Sequence, residues 1–158
     1  MATILVYAEH KDGKVKKVTH ELIAEATRSG AEAIAFVAAA SGVDALANEL
    51  ASMGAKKVFT ATGENLKIYS NETYGKLFVN AVKASNPQII LIPATVQGKD
   101  LAPRVSAMLG VGLASDCTKI KISGDKMTAT RPVYAGKALA DVEFVGNGPY
   151  MATVRPNA

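Results

Sequence analysis

From Thr3 to Gly110 the chain alternates without interruption between short, apolar, β-prone runs and segments whose apolar residues recur at helical spacing. Few architectures accept that order. Strands separated by helices must pair in parallel through crossover connections, which places helices on both faces of one sheet. The chain is therefore read as an α/β protein built around a parallel core.

The punctuation supports this reading. TILVYA (Thr3 to Ala8) is apolar throughout, as a strand buried on both faces should be. Lys11-Asp12-Gly13-Lys14 is a turn, and Thr19 is the predicted N-cap of a helix Glu21 to Ser29, with Val18 and Ile23 as a staple and Gly30 at its end. Ala33 to Ala38 gives a second strand and Lys57 to Ala61 a third. Between them Val43, Leu46, Leu50 and Met53 define a helix bounded by Gly42 and Gly54. Asn71 is predicted to cap a helix carrying Tyr74, Leu77, Phe78 and Val82 on one face; Asn86-Pro87 stops it before a strand Gln88 to Pro93. This is the Rossmann-like pattern.

After Gly110 the grammar changes. Cys117 to Ile122, Lys126 to Val133, Leu139 to Phe144 and Tyr150 to Val154 are short segments split by Gly-rich turns, which predicts an antiparallel meander. We read residues 1–158 as one domain, with a parallel core over 1–110 and the meander over 115–156. A chain of 158 residues buries roughly 70% of its unfolded surface, enough for one core.

Composition narrows the function. With 49% hydrophobic and 20% charged residues, the chain is globular, and it has no apolar run long enough for membrane insertion. MATILVYAEH opens directly on a strand, without a signal-peptide pattern, so a cytoplasmic location is expected. The net charge of +4 is spread over isolated pairs such as Lys16-Lys17 and Lys56-Lys57, unlike the dense basic stripe of a nucleic-acid binder. The single cysteine, Cys117, reads as a small half-buried filler.

One segment raises a chemical question. In IPATVQGKDLAPRVSAMLG (Ile92 to Gly110) an apolar run leads through Gln97-Gly98-Lys99-Asp100 into a helical pattern, the layout of many phosphate sites. Thr95, Gly98, Lys99 and Arg104 are the candidate phosphate or nucleotide contacts. One glycine, however, makes neither a Walker loop nor a dinucleotide loop. Asp100 stands where an N-cap is expected, with Pro103 in the first turn, so the loop would satisfy its own free N–H groups. Arg104 is then expected to pair with Asp116 rather than with a ligand.

Nothing else assembles a catalytic set. His10 and His20 lack further ligands for a metal, and neither Ser41 nor Ser115 lies in a nucleophile elbow. Glu9 and Asp116 fall near the carboxyl edge of the sheet without forming an acid/base pair. Tyr69, Tyr74 and Phe78 fit helix packing.

Three segments taken together are more specific: LVYAEHKDGKVKKVTHELIAEATRSG, PATVQGKDLAPRVSAMLGVGLASDCTKIK and TRPVYAGKALADVEF. In this order they resemble the N-terminal domain of electron transfer flavoprotein alpha subunits, from Ile4 to about Pro156. The resemblance implies a three-layer αβα domain (adenine nucleotide alpha hydrolase-like) with added C-terminal antiparallel strands. It implies a scaffold without catalytic residues, pairing with an electron transfer flavoprotein beta subunit. The heterodimer would carry electrons from flavin dehydrogenases, such as the acyl-CoA dehydrogenases of fatty acid β-oxidation, to a membrane quinone reductase. FAD would be bound mainly by a C-terminal domain not present in these residues, and none is expected in this chain alone. The resemblance further implies that the related beta-subunit fold holds an AMP, whereas the alpha N-terminal domain is not known for a nucleotide of its own. The alternative is a stand-alone AMP- or ATP-binding module.

Overall fold

A computed structural model describes residues 2–157. The elements run β1 (Thr3–Tyr7), β2 (His10–Lys11), β3 (Lys14–Val15), α1 (Lys17–Arg28), β4 (Glu32–Ala39), α2 (Val43–Ser52), β5 (Lys57–Thr62), α3 (Asn71–Ser85), β6 (Ile89–Pro93), α4 (Val96–Leu109), β7 (Leu113–Cys117), β8 (Lys119–Ser123), β9 (Lys126–Val133), β10 (Ala138–Glu143) and β11 (Tyr150–Val154), with one 3-10 turn at Glu64–Leu66. Six strands form a sheet in the order β5-β4-β1-β6-β11-β7, and every pairing in it is parallel.

The apolar runs are continuous because both faces of this sheet are covered. Ile4, Val6, Ala33 and Leu91 point toward α1 and α2, where Leu22, Ile23 and Leu50 meet them. Leu5, Tyr7, Phe36 and Ile90 point toward α3 and α4, where Phe78, Val82, Leu101 and Val105 meet them. Tyr7, Phe36 and Phe78 interlock there, with ring centroids 5.4 to 6.0 Å apart. The expected α/β, Rossmann-like architecture is thus present.

The C-terminal third departs from its reading. β8, β9 and β10 form a separate antiparallel sheet, but Tyr150–Val154 is not part of it. This segment is β11, buried at all five positions and inserted in parallel between β6 and β7. The expected strand Cys117 to Ile122 also divides: Cys117 ends β7, and β8 begins at Lys119. The backbone bends at Asp116, which takes φ 58°.

Three caps move. Thr19 lies on the same stripe as Leu22, Ile23 and Ala26, so it is buried inside α1; Lys16 occupies the N-cap position without a side-chain bond. Ser70, not Asn71, caps α3, its Oγ accepting from the Thr73 N–H. Thr95 caps α4, so Gln97-Gly98-Lys99-Asp100 is helix rather than turn. Asp100 is then not a cap, and Pro103 lies in the middle of α4 rather than in its first turn.

Candidate functional site

The chain fills the sheet outward from β1 to β4 and β5, then returns through α3 to place β6 on the other side of β1. The carboxyl ends of β1 and β6 therefore diverge at a switch point, where α/β sheets commonly bind ligands. Glu9 follows β1 and Thr95 follows β6.

Here the gap is closed from within. Thr95 Oγ1 donates to Glu9 Oε1 and accepts from the Gly98 N–H at 3.0 Å, so one hydroxyl serves as helix cap and as carboxylate donor. Glu9 is only 4% exposed, and its other oxygen pairs with Lys16 Nζ. Its backbone N–H donates to Thr19 Oγ1, which explains why Thr19 is needed inside α1. A buried carboxylate thus occupies the place where a phosphate would approach the start of α4, and like charge there disfavours an anion.

Gly98 has a packing role. A Cβ at this position would stand 1.7 Å from the Pro93 carbonyl oxygen and 3.2 Å from Ile92 Cγ2. The glycine lets the first turn of α4 lie directly on the end of β6.

The remaining candidates do not converge with these two. Lys99 Nζ faces Asp116 Oδ1 at 3.9 Å. Arg104 lays its stem over Gly75 of α3, where an added Cβ would meet Arg104 Cδ at 3.1 Å. Arg104 does not pair with Asp116 as expected, because Arg155 takes that carboxylate through Nε and Nη2, both at 2.8 Å. Those bonds hold the Asp116 carboxyl below the usual range, against a smaller opposing effect of burial and with help from the charges of Arg155, Lys99 and Arg131. Arg155 carries no sequence signal beyond its place after an apolar run, and only the parallel insertion of β11 brings it beside Asp116.

Beside the switch point lies a cleft of about 470 Å³ between Tyr7, Ser41, Gly42 and Tyr69. Its three tyrosine hydroxyls are partnered within the protein. Tyr7 Oη donates to Gln97 Oε1 at 2.7 Å, Tyr69 Oη to Asp100 Oδ2 at 2.8 Å, and Tyr74 Oη to the Leu66 carbonyl at 2.6 Å. Burial, reinforced by the charges of Tyr74, Tyr69 and Glu9, pushes the Tyr7 phenol well up. Tyr69 is raised first by burial and then by its bond to the Asp100 carboxylate. Both remain protonated donors at neutral pH.

His10 Nε2 contacts the Ala38 carbonyl at 2.7 Å, and among the described residues no group of three or more His, Cys, Asp or Glu side chains could hold a metal ion. No described helix is long and apolar enough to cross a membrane. Cys117 is fully buried rather than half-buried, and burial raises its thiol to about 11.

Comparison with known proteins returns one family. The model for the electron transfer flavoprotein domain matches residues 4–158. The chain is 38% identical to the electron transfer flavoprotein subunit alpha of Syntrophomonas wolfei, covering 99% of this chain and 49% of that protein. It is 36% identical to the subunit alpha of Bacillus subtilis, covering 98% and 47%. It is 31% identical to the acryloyl-CoA reductase electron transfer subunit beta of Anaerotignum propionicum, covering 97% and 49%. The chain spans about half the length of these relatives.

Proposed function

The chain belongs to the electron transfer flavoprotein family, in the part shared with alpha subunits, and from this premise we propose that it is a scaffold and interaction domain contributing no redox chemistry of its own. The observation that carries the proposal is the closed switch point. Glu9 and Thr95 fill with protein groups the position that a nucleotide-binding relative of the fold would leave for phosphate. The only glycine in the first turn of α4 is consumed by contact with Pro93. The residues at the switch point therefore leave no room for the phosphates of a dinucleotide.

In this reading the chain pairs with an electron transfer flavoprotein beta subunit, and together they support a flavin-bearing domain. FAD would be held largely outside these residues. Electrons would pass from flavin dehydrogenases of the acyl-CoA class to a quinone reductase. The Anaerotignum relative, by its name an electron transfer subunit of acryloyl-CoA reductase, supports the acyl-CoA connection. The exposed apolar side chains Val96 (91%) and Ile68 (81%) near the carboxyl edge and Tyr134 (80%) on the β9–β10 hairpin would be covered by these neighbours.

The test is reconstitution. The purified chain is incubated with FAD and desalted, then separately co-purified with a beta-type subunit. The expected result is a colourless chain that forms a one-to-one complex. Stoichiometric flavin retained by the chain alone, or failure to associate with any beta-type subunit, would overturn the proposal.

A further inference from the structure

The β9–β10 hairpin carries an arginine at an inward-facing position. Arg131 continues the inward-facing row of β9 after Met127 and Ala129, both buried, and so extends an apolar row with a charge. Its Nε–H is buried without an acceptor, and its guanidinium has no hydrogen-bond or ion-pair partner among the described residues. Orphaned buried donors are rare in folded proteins and call for an explanation.

The surroundings supply one. The Thr130 carbonyl accepts from the Thr118 N–H at 2.8 Å, which ties this point of β9 to the end of β7, beside Asp116. Arg155 and Lys99 converge on the same carboxylate from the end of β11 and the start of α4. The charge of Arg131 is also felt there. Two cations thus contact a single carboxylate, and Arg131 stands on the strand tied to Thr118 close by, so three positive charges face one negative charge at this end of the sheet. The nearest acid by register, Asp141, accepts from Thr130 Oγ1 at 2.8 Å on the opposite face of the hairpin.

We propose that Arg131, together with Lys99 and Arg155, forms a receiving site for an oxyanion, a carboxylate or a phosphate, and that Asp116 keeps the other two cations in register until it arrives. A guanidinium suits such a group because it can donate two parallel N–H bonds. Engaging Nε requires a rotamer change that exchanges an unpaired donor for a paired one. The site lies on the β7–β11 side of the sheet, with Lys99 reaching it from the first turn of α4, and does not depend on the scaffold reading.

The experiment follows the arginine Nε–Hε resonances of the ¹⁵N-labelled chain during titration with inorganic phosphate or with acetate, at constant ionic strength maintained with chloride. Arg131→Lys assigns the resonance. The expected result is a saturable shift of Arg131 Hε with at least one anion, weakened severalfold in Lys99→Ala and strengthened severalfold in Asp116→Asn, where the resident carboxylate no longer competes. Saturation by phosphate alone assigns a phosphate-bearing ligand; saturation by acetate assigns a carboxylate. No shift beyond the chloride control in either the wild type or Asp116→Asn would overturn the proposal, as would equal affinity in wild type and Lys99→Ala.

Discussion

Thr95 and Glu9 lie 86 residues apart in the chain, yet a single hydroxyl joins them across the ends of β6 and β1 while the same oxygen caps α4. The bond converts an open switch point into a sealed one. Thr95→Val removes the cap, worth about 1 kcal/mol, and leaves a buried carboxylate short of a donor, worth about 1–3 kcal/mol. We expect urea unfolding to show a loss of about 2 kcal/mol or more for Thr95→Val, with Thr95→Ser close to wild type. Equal losses in both variants would show that the methyl, not the hydroxyl, matters.

Gly98→Ala should be among the most damaging small substitutions in the chain. The new Cβ would strike a backbone carbonyl, which cannot swing aside as a flexible side chain could. Overpacking of this kind costs about 1–3 kcal/mol and occasionally more. A midpoint of denaturation within error of wild type would contradict the packing role assigned to this glycine.

The start of α3 gives a paired comparison. Ser70→Ala should cost about 1 kcal/mol, because Ser70 Oγ accepts from the Thr73 N–H, whereas Asn71→Ala should be nearly neutral. Thermal unfolding of the two variants distinguishes the residues; a reversed order would return the cap to Asn71.

Acid titration tests the Asp116–Arg155 clamp. A carboxyl lowered in the folded state stabilises the fold above its unfolded value of about 3.9 and loses that contribution as pH falls toward the folded value. Wild type should therefore lose more stability than Asp116→Asn on going below about pH 4. The effect at neutral pH should be small because both partners face solvent and their attraction is screened. Asparagine tolerates the φ of 58° at this bend, so the substitution isolates the charge. Parallel acid limbs in the two proteins would refute the assignment.

Cys117 should be unreactive in the native protein. It is fully buried, and with its thiol near 11 only about one molecule in a thousand carries the thiolate at pH 8. A disulfide reagent should label it at the rate of global unfolding and at once in denaturant; fast native labelling would show that the end of β7 opens locally.

Most of the parallel core was legible because local chemistry and global position agree there. TILVYA reads as a buried strand from its own residues, and its neighbours in the sheet only supply the second face. Val18 and Ile23 are both buried, but not as the staple read for them, because Lys16 rather than Thr19 takes the N-cap position and Val18 lies inside α1. The caps were less legible because Thr19 and Asp100 have side chains suited to capping, and the choice between Thr95 and Asp100 depends on how closely α4 approaches Pro93.

The sequence alone determined the α/β class, the order of the main strands and helices up to Gly110, the antiparallel β8–β10 segment and the family, since these rest on periodicity, turn residues and motif order, all properties of neighbouring positions. The tertiary structure alone decided that β11 enters the parallel sheet, that Glu9 seals the switch point, and that Arg155 rather than Arg104 holds Asp116. Each of those outcomes joins residues tens of positions apart, and is selected by which burial satisfies the most apolar surface and polar groups at once. No local pattern in the chain encodes that competition.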